Sequence, residues 1–202
     1  MPLIECFASR LYRAALGRGC AGLNRRLIAE VRQLERDDAA GQAWSARHYP
    51  QGYTSYASAH RLQRLSPTFA DLEQRLDVHV RAFARATGWD LRGRELAMTD
   101  CWANVMRRGA AHAPHIHPLA TVSGTYYLAT PPGVPGIKFE DPRLERFMAR
   151  PPLKARAPEQ PWITLPVRAG QLVLFESWMR HEVPPLIAAR ERISVSFNYA
   201  WF

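Results

Sequence analysis

Residues 112–128 read HAPHIHPLATVSGTYYL, and this stretch determines how the second half of the chain is interpreted. After Thr121 it is rich in β-branched and aromatic residues, which is typical of a strand. Clusters of glycine and proline separate it from five further runs of the same kind, at 97–106, 136–139, 162–167, 171–175 and 192–202. Six short strands at close intervals predict an antiparallel sandwich or barrel.

The first half of the chain has helical periodicity instead. Residues 22–37 repeat apolar side chains every three or four positions, which predicts one amphipathic helix. A second helix is predicted to begin at Ser66-Pro67, with serine as the N-cap, and to end at Gly88. Residues 39–56 lack any period and are interpreted as a loop, and residues 141–161 as a proline-rich excursion between strands.

Composition excludes several classes of protein. The 202 residues are 47% hydrophobic and 22% charged, as expected of one folded domain rather than a disordered chain. Three widely spaced cysteines argue against a disulfide scaffold. The sequence shows no apolar run long enough for a membrane span and no export signal, so we expect a cytoplasmic protein. The net charge is +9 without a long basic run, which favours an acidic substrate only weakly and does not favour nucleic acid.

Histidines carry the first functional signal. His115 and His117 are two residues apart, so on a strand their rings would lie on the same side and could bind one ion. His181 follows another strand-like run, and a barrel could bring it beside this pair. Imidazole ligands suit iron, zinc, copper or nickel. No role is assigned to the histidines at 48, 60 and 79.

An arginine in the last strand carries the second signal. Alternation along RISVSFN places Arg192, Ser194 and Ser196 on one face of the strand. A buried guanidinium is unfavourable unless an anion meets it, and its planar fork matches a carboxylate. In the same way, one of Tyr126 and Tyr127 must face inward. Together these features indicate a pocket for a metal-bound acid.

The order of these motifs resembles the Fe(II)/2-oxoglutarate-dependent oxygenases. The segment 102–198, which includes HIHP, YYL, GIKFEDPR, the distal histidine and RISVSFN, is similar to a bacterial branch of 2OG-Fe(II) oxygenases related to the prolyl hydroxylases. The resemblance implies an α+β, mainly β fold, a double-stranded β-helix or jelly roll with N-terminal helices packed on its major sheet. Residues 1–202 would then form a single domain, with helical support in 1–94 and the metal-binding core in 95–202.

The resemblance also implies roles for individual residues. His115 and His181 match metal ligands, and His117 stands where most of the superfamily has aspartate or glutamate. Arg192 matches the arginine that binds the far carboxylate of 2-oxoglutarate, assisted by Tyr127 and Ser194. Asn104 is a candidate for the near end of this cosubstrate. The implied reaction uses Fe(II), O2 and 2-oxoglutarate and couples oxidative decarboxylation to hydroxylation of a substrate that the sequence does not identify.

Three alternatives stay open at this point. Glu140 or Asp141 could complete the metal site in place of His117. A three-histidine, cupin-like dioxygenase that does not use 2-oxoglutarate would keep the histidines but would need no carboxylate clamp. A non-catalytic basic binding module could have kept the fold. The aromatic C-terminal strand, FNYAWF, could close its own sheet or pair with a second copy to form a homodimer.

Overall fold

The computed structural model describes residues 4, 6–155 and 160–202, which form two antiparallel sheets and four α-helices. Along the chain, the strands are Leu11–Ala15 (β1), Gly52–Thr54 (β2), Leu96–Met106 (β3), His112–His115 (β4), Val122–Ala129 (β5), Ile137–Glu140 (β6), Trp162–Leu165 (β7), Gln171–Glu176 (β8), His181–Val183 (β9) and Arg192–Trp201 (β10). The α-helices are Cys20–Asp37 (α1), Ala39–His48 (α2), Leu62–Leu65 (α3) and Pro67–Thr87 (α4).

The larger sheet has the strand order β1-β8-β5-β10-β3-β2, and the smaller has the order β4-β9-β6-β7. Buried side chains from both sheets, including Tyr127, Phe139 and Phe175, pack together between them. The two sheets do not close into a barrel. The predicted class, mainly β with helices on the larger sheet, is confirmed.

The two long helices cover the outer face of the larger sheet. The apolar stripes of α1 and α4 share one buried cluster with side chains of β3, β5, β8 and β10. The limits predicted for α4 are confirmed, because Ser66 Oγ accepts a hydrogen bond from the Thr68 amide and Gly88 ends the helix at a φ of 79°. This φ lies in the left-handed region that glycine adopts without strain.

The prediction of a loop over residues 39–56 is wrong, because α2 and β2 both lie within it. Helix α2 has no apolar stripe, and its buried residues are Gly41 and Ser45. Asp38 caps it by accepting a hydrogen bond from the Gly41 amide, and the same carboxylate accepts from the hydroxyls of Tyr53 and Ser58. Tertiary polar contacts therefore stabilise a helix that periodicity cannot reveal.

The region predicted as helical support also contributes strands. Strand β1 pairs with β8, and β2 pairs with β3, so both edges of the larger sheet come from the first 94 residues. Within the excursion at 141–161, a 3₁₀ helix spans Leu144–Ala149, and residues 156–159 lie outside the described residues. No helix in the described part of the chain combines the length and apolar character needed to cross a bilayer.

Alternation along β10 is confirmed and sets the position of the site. Ile193, Val195, Phe197 and Tyr199 lie in the cluster beneath the helices. Arg192 and Ser196 line a cavity on the opposite face, between the sheets. Polar side chains thus face inward from the middle of the larger sheet, where they would be unfavourable without partners.

Candidate active site

Three histidines meet at one end of this cavity. His115 ends β4 and is paired directly opposite His181, which begins β9, and their ring centroids are 4.3 Å apart. His117 follows in the turn, where its amide donates to the Ser177 carbonyl, and its ring lies 5.1 Å from that of His181. One ligand atom from each of the three residues lies within 4.8 Å of the other two. This spacing permits all three to bind one cation.

Hydrogen bonds fix which nitrogen of each ring faces the others. Nδ1 of His115 lies 2.7 Å from the Ala113 carbonyl oxygen, and Nδ1 of His181 lies 2.9 Å from that of Met179. A carbonyl oxygen can only accept, so both Nδ1 atoms carry the proton and both Nε2 atoms keep a lone pair. Metal-binding histidines commonly donate their second ring N–H in this way.

His117 follows the same pattern through a side chain. Its Nδ1 lies 2.8 Å from Oδ1 of Asn198, and Ser123 Oγ donates to the same oxygen over 2.8 Å. The amide nitrogen of Asn198 faces Asp100, so its oxygen faces the imidazole. Nδ1 of His117 is therefore the donor, and all three rings present Nε2 lone pairs to a common point.

The three imidazoles are held in the neutral form that a metal requires. Burial and, after it, the neighbouring His115 lower the pKa of His117 to about 4 and that of His181 to about 3. The pKa of His115 is also lowered by burial. His181 is buried, His117 half-buried and His115 exposed, so a bound cation would be reached from the side of His115.

The whole cavity has a volume of about 60 Å³, and the buried side chain of Arg192 lies at its other end. Arg192 is 3% exposed, and its Nε and Nη1 have no hydrogen-bond partner within residues 6–155 and 160–202. Its guanidinium lies 5.3 Å from the centroid of the Tyr127 ring. The Tyr127 hydroxyl and Asn104 Oδ1 are also buried, and no described residue forms a hydrogen bond with either atom. Several unsatisfied polar atoms around one cavity indicate a polar ligand.

The structure distinguishes between residues that sequence reasoning grouped together. Tyr127 faces the cavity, whereas the Tyr126 hydroxyl donates to Asn24 beneath the helices. Ser194 is buried but is not among the cavity-lining residues. Ser196 lines the cavity instead and accepts a 3.1 Å hydrogen bond from the Asn104 amide. Ser194, predicted to assist Arg192, is the residue of β10 that is paired with Asn104 on β3.

Two residues of the site were missed from the sequence. Asn198 continues the same inward-facing alternation of β10, and that period is the signal that could have identified it. His112 lines the cavity and stacks on Tyr49 with ring centroids 4.4 Å apart. Burial, reinforced by the charge of Arg192, lowers the pKa of His112 to about 3. Its only sequence signal was its proximity to the H-x-H pair.

The alternative metal ligands Glu140 and Asp141 are engaged elsewhere. Glu140 forms a 2.9 Å ion pair with Arg180, and Asp141 forms ion pairs with Arg143 and Arg146. Neither carboxylate lines the cavity. Among the described residues, the group of side chains spaced for a metal is the three histidines. A site completed by either carboxylate is therefore not what the structure presents.

Known proteins share this architecture. The nickel- and 2-oxoglutarate-bound HygX of Streptomyces hygroscopicus, which also holds hygromycin B, aligns with a TM-score of 0.64 at 15% identity, over 95% of this chain and 83% of that one. A Pseudomonas putida prolyl-4-hydroxylase aligns with a TM-score of 0.60 at 19% identity, over 95% and 92%. The α-ketoglutarate-dependent epimerase SnoN aligns with a TM-score of 0.61 at 16% identity, over 95% and 76%. These likenesses confirm the predicted jelly-roll fold.

The sequence comparison reaches the same group of proteins. No curated protein matches the chain. The family described as "Putative 2OG-Fe(II) oxygenase" matches residues 100–198, a range that contains all three histidines, Tyr127 and Arg192. Over these 99 of its 202 residues, the chain matches the 2OG-Fe(II) oxygenase family, and HygX, which has the same fold, binds 2-oxoglutarate together with nickel.

Proposed function

We propose that the chain is an Fe(II)- and 2-oxoglutarate-dependent hydroxylase in which His115, His117 and His181 hold the metal and Arg192 holds the cosubstrate. The observation that carries this proposal is one cavity with three convergent imidazoles at one end and a buried, unpaired guanidinium at the other. A keto diacid fits both ends, because one part can bind a metal and its far carboxylate can meet an arginine.

The donor set suits Fe(II) on chemical grounds. Imidazole nitrogen is a good ligand for iron, and three facial ligands leave further coordination positions open. Fe(II), once bound with 2-oxoglutarate and O2, would supply the oxidation of a substrate C–H bond, coupled to decarboxylation of the cosubstrate. The chain's own contribution is to bind, orient and shield these groups.

Arg192 and Tyr127 would bind the far carboxylate. The guanidinium offers two nitrogen donors, Nε and Nη1, that no described residue pairs with, and the phenol offers one hydroxyl; together they can satisfy a carboxylate. Burial raises the pKa of Tyr127, so the phenol stays protonated and can donate. Ser194, two residues beyond Arg192, was predicted to assist, and Ser196 together with Asn104 forms the polar floor that the cosubstrate would cross.

Apolar side chains would keep bulk water from the reacting groups. Phe175 and Phe139 pack against the His181 ring at centroid distances of 4.6 and 5.8 Å, and Trp102 stacks on His117 at 5.7 Å. These rings also hold the imidazoles in place, as a preorganised site requires. We further propose that residues 1–202 act as one domain, because the helices of the first half cover the sheet that carries the site.

The proposal is tested by binding and by turnover. We expect 2-oxoglutarate to bind the Ni(II)-loaded protein in calorimetry, and we expect the Fe(II)-loaded protein to release succinate in air. Metal binding without any response to 2-oxoglutarate would favour the three-histidine dioxygenase that does not use it. Failure of His181→Ala to reduce Ni(II) affinity would refute the assignment of the metal site.

A further inference from the structure

The proposed ligands do not balance the positive charge of the metal. Three neutral imidazoles bring no negative charge to a divalent cation, and Arg192 adds a positive charge to the same cavity. A dication in a partly buried site is stabilised by any carboxylate held close to its ligands.

One carboxylate reaches His117 through an amide. His117 donates from Nδ1 to Oδ1 of Asn198 over 2.8 Å, and Nδ2 of Asn198 donates to Oδ2 of Asp100 over 3.4 Å. The hydroxyl of Thr99 donates to the same carboxylate oxygen over 2.7 Å. The two hydrogen bonds thus point the same way: the imidazole donates to the amide, and the amide donates to the Asp100 carboxylate.

The sheet fixes this geometry. Asn198 on β10 is paired with Asp100 on β3 and with Ser123 on β5, and the register of β10 with β3 shifts immediately after Asn198. Ser123 Oγ donates to the Asn198 oxygen and lies 2.8 Å from Ser177 Oγ. The amide is therefore held from both neighbouring strands and cannot turn without losing several hydrogen bonds.

We propose that Asp100 is a positioning residue that supplies negative charge to the metal site through Asn198 and His117. This inference rests on the proposed function. The Asp100 carboxylate polarises the Asn198 amide, the amide oxygen draws the Nδ1 proton of His117, and the Nε2 lone pair becomes a stronger donor. Asp100 thereby compensates for the absence of a carboxylate among the ligands themselves.

The hydrogen bonds of the other two imidazoles lead elsewhere. Nδ1 of His115 faces the Ala113 carbonyl and Nδ1 of His181 faces the Met179 carbonyl. The hydrogen-bonded path from Asp100 therefore enters the three-histidine group at His117.

The test measures Ni(II) affinity by calorimetry in the absence of 2-oxoglutarate. We expect Asp100→Asn, which keeps the side-chain shape and removes the charge, to weaken Ni(II) binding by about tenfold, the lower end of the range for outer-shell partners. Asn198→Ser breaks the chain while keeping Asp100 and should cause a similar or larger loss. Asp77→Asn is the matched control, because Asp77 bonds the Tyr199 hydroxyl on the opposite face of the sheet.

A ligand swap separates this role from a purely structural one. In His117→Asp, the carboxylate lies among the ligands, so adding Asp100→Asn should leave Ni(II) affinity unchanged. Equal losses in both backgrounds, or equal affinities for Asp100→Asn and Asp77→Asn, would overturn the inference. Absence of Ni(II) binding by the unaltered protein would instead overturn the proposed function. Thermal unfolding of each variant establishes that the compared proteins are folded.

Discussion

Replacing Arg192 with methionine should raise the stability of the metal-free protein while it weakens 2-oxoglutarate binding. The guanidinium is 3% exposed, has two N–H groups without partners and has no carboxylate partner among the described residues. Replacing a whole buried ion pair with apolar side chains of similar volume is often stabilising by about 1–4 kcal/mol, and a guanidinium without a carboxylate partner has no ion-pair energy to lose. For a chain of this size, each kcal/mol raises the melting temperature by roughly 2–4 °C.

Cosubstrate binding should change in the opposite direction. Removing one partner of a buried, hydrogen-bonded charge pair weakens binding by about 2–5 kcal/mol. That range corresponds to a loss of roughly 30-fold to several thousand-fold in affinity. The assays are thermal unfolding of the metal-free protein and calorimetric titration of the Ni(II)-loaded protein with 2-oxoglutarate.

Arg107→Met is the matched control, because Arg107 forms ion pairs with Glu35 and Glu191 outside the cavity. Its side chain is 40% exposed, so its loss should lower stability by no more than about 1 kcal/mol and leave 2-oxoglutarate affinity unchanged. A loss of stability in Arg192→Met with unchanged 2-oxoglutarate affinity would refute the reasoning and make Arg192 a structural residue.

Three further outcomes are expected. Ni(II) affinity should stay nearly constant between pH 8 and 6, because the pKa values of His117 and His181 are about 4 and 3; a steep loss near pH 6.5 in calorimetry would contradict this. The metal-free protein should lose stability below pH 6.5. In this range the histidines of the unfolded chain bind protons, whereas the buried histidines of the folded protein, including His112 with a pKa of about 3, stay neutral. In urea unfolding, three such groups account for as much as about 4 kcal/mol between pH 7.5 and 5.5, and a flat profile would refute the burial argument. Asp38→Ala should lower the free energy of unfolding by about 1–2 kcal/mol through loss of the α2 cap, and an effect on Ni(II) affinity would contradict its remote position.

Local periodicity was sufficient to predict part of the site. Residues two apart on β10 share a face whatever the strand pairs with, so the inward position of Arg192 could be predicted from RISVSFN alone. Ser66-Pro67 and Gly88 likewise marked the ends of α4, because capping depends on a few neighbouring residues. Such features need no knowledge of the tertiary structure.

Other features depend on contacts between distant segments. The pairing of β10 with β5 passes from Ile193–Ala129 to Ser194–Tyr127, so Leu128 is an extra residue on β5. A bulge of this kind depends on the register of the partner strand, which β10 alone does not encode. Helix α2 was missed for the same reason, because Asp38 holds it through Tyr53 and Ser58 rather than through an apolar face.

Folding buries several polar and charged groups of the site at a cost in free energy, and ligand binding would recover part of that cost. Among the described residues, Arg192 has no anionic partner and Tyr127 and Asn104 keep polar atoms without partners. His117 and His181 resist protonation because they are buried. Each of these features lowers the stability of the metal-free protein. A dication at the imidazoles and a diacid between them and Arg192 would satisfy the imidazoles, the guanidinium and the Tyr127 hydroxyl at once. The same residues that weaken the fold therefore define which ligands the cavity binds, and stability and binding should change in opposite directions when they are replaced.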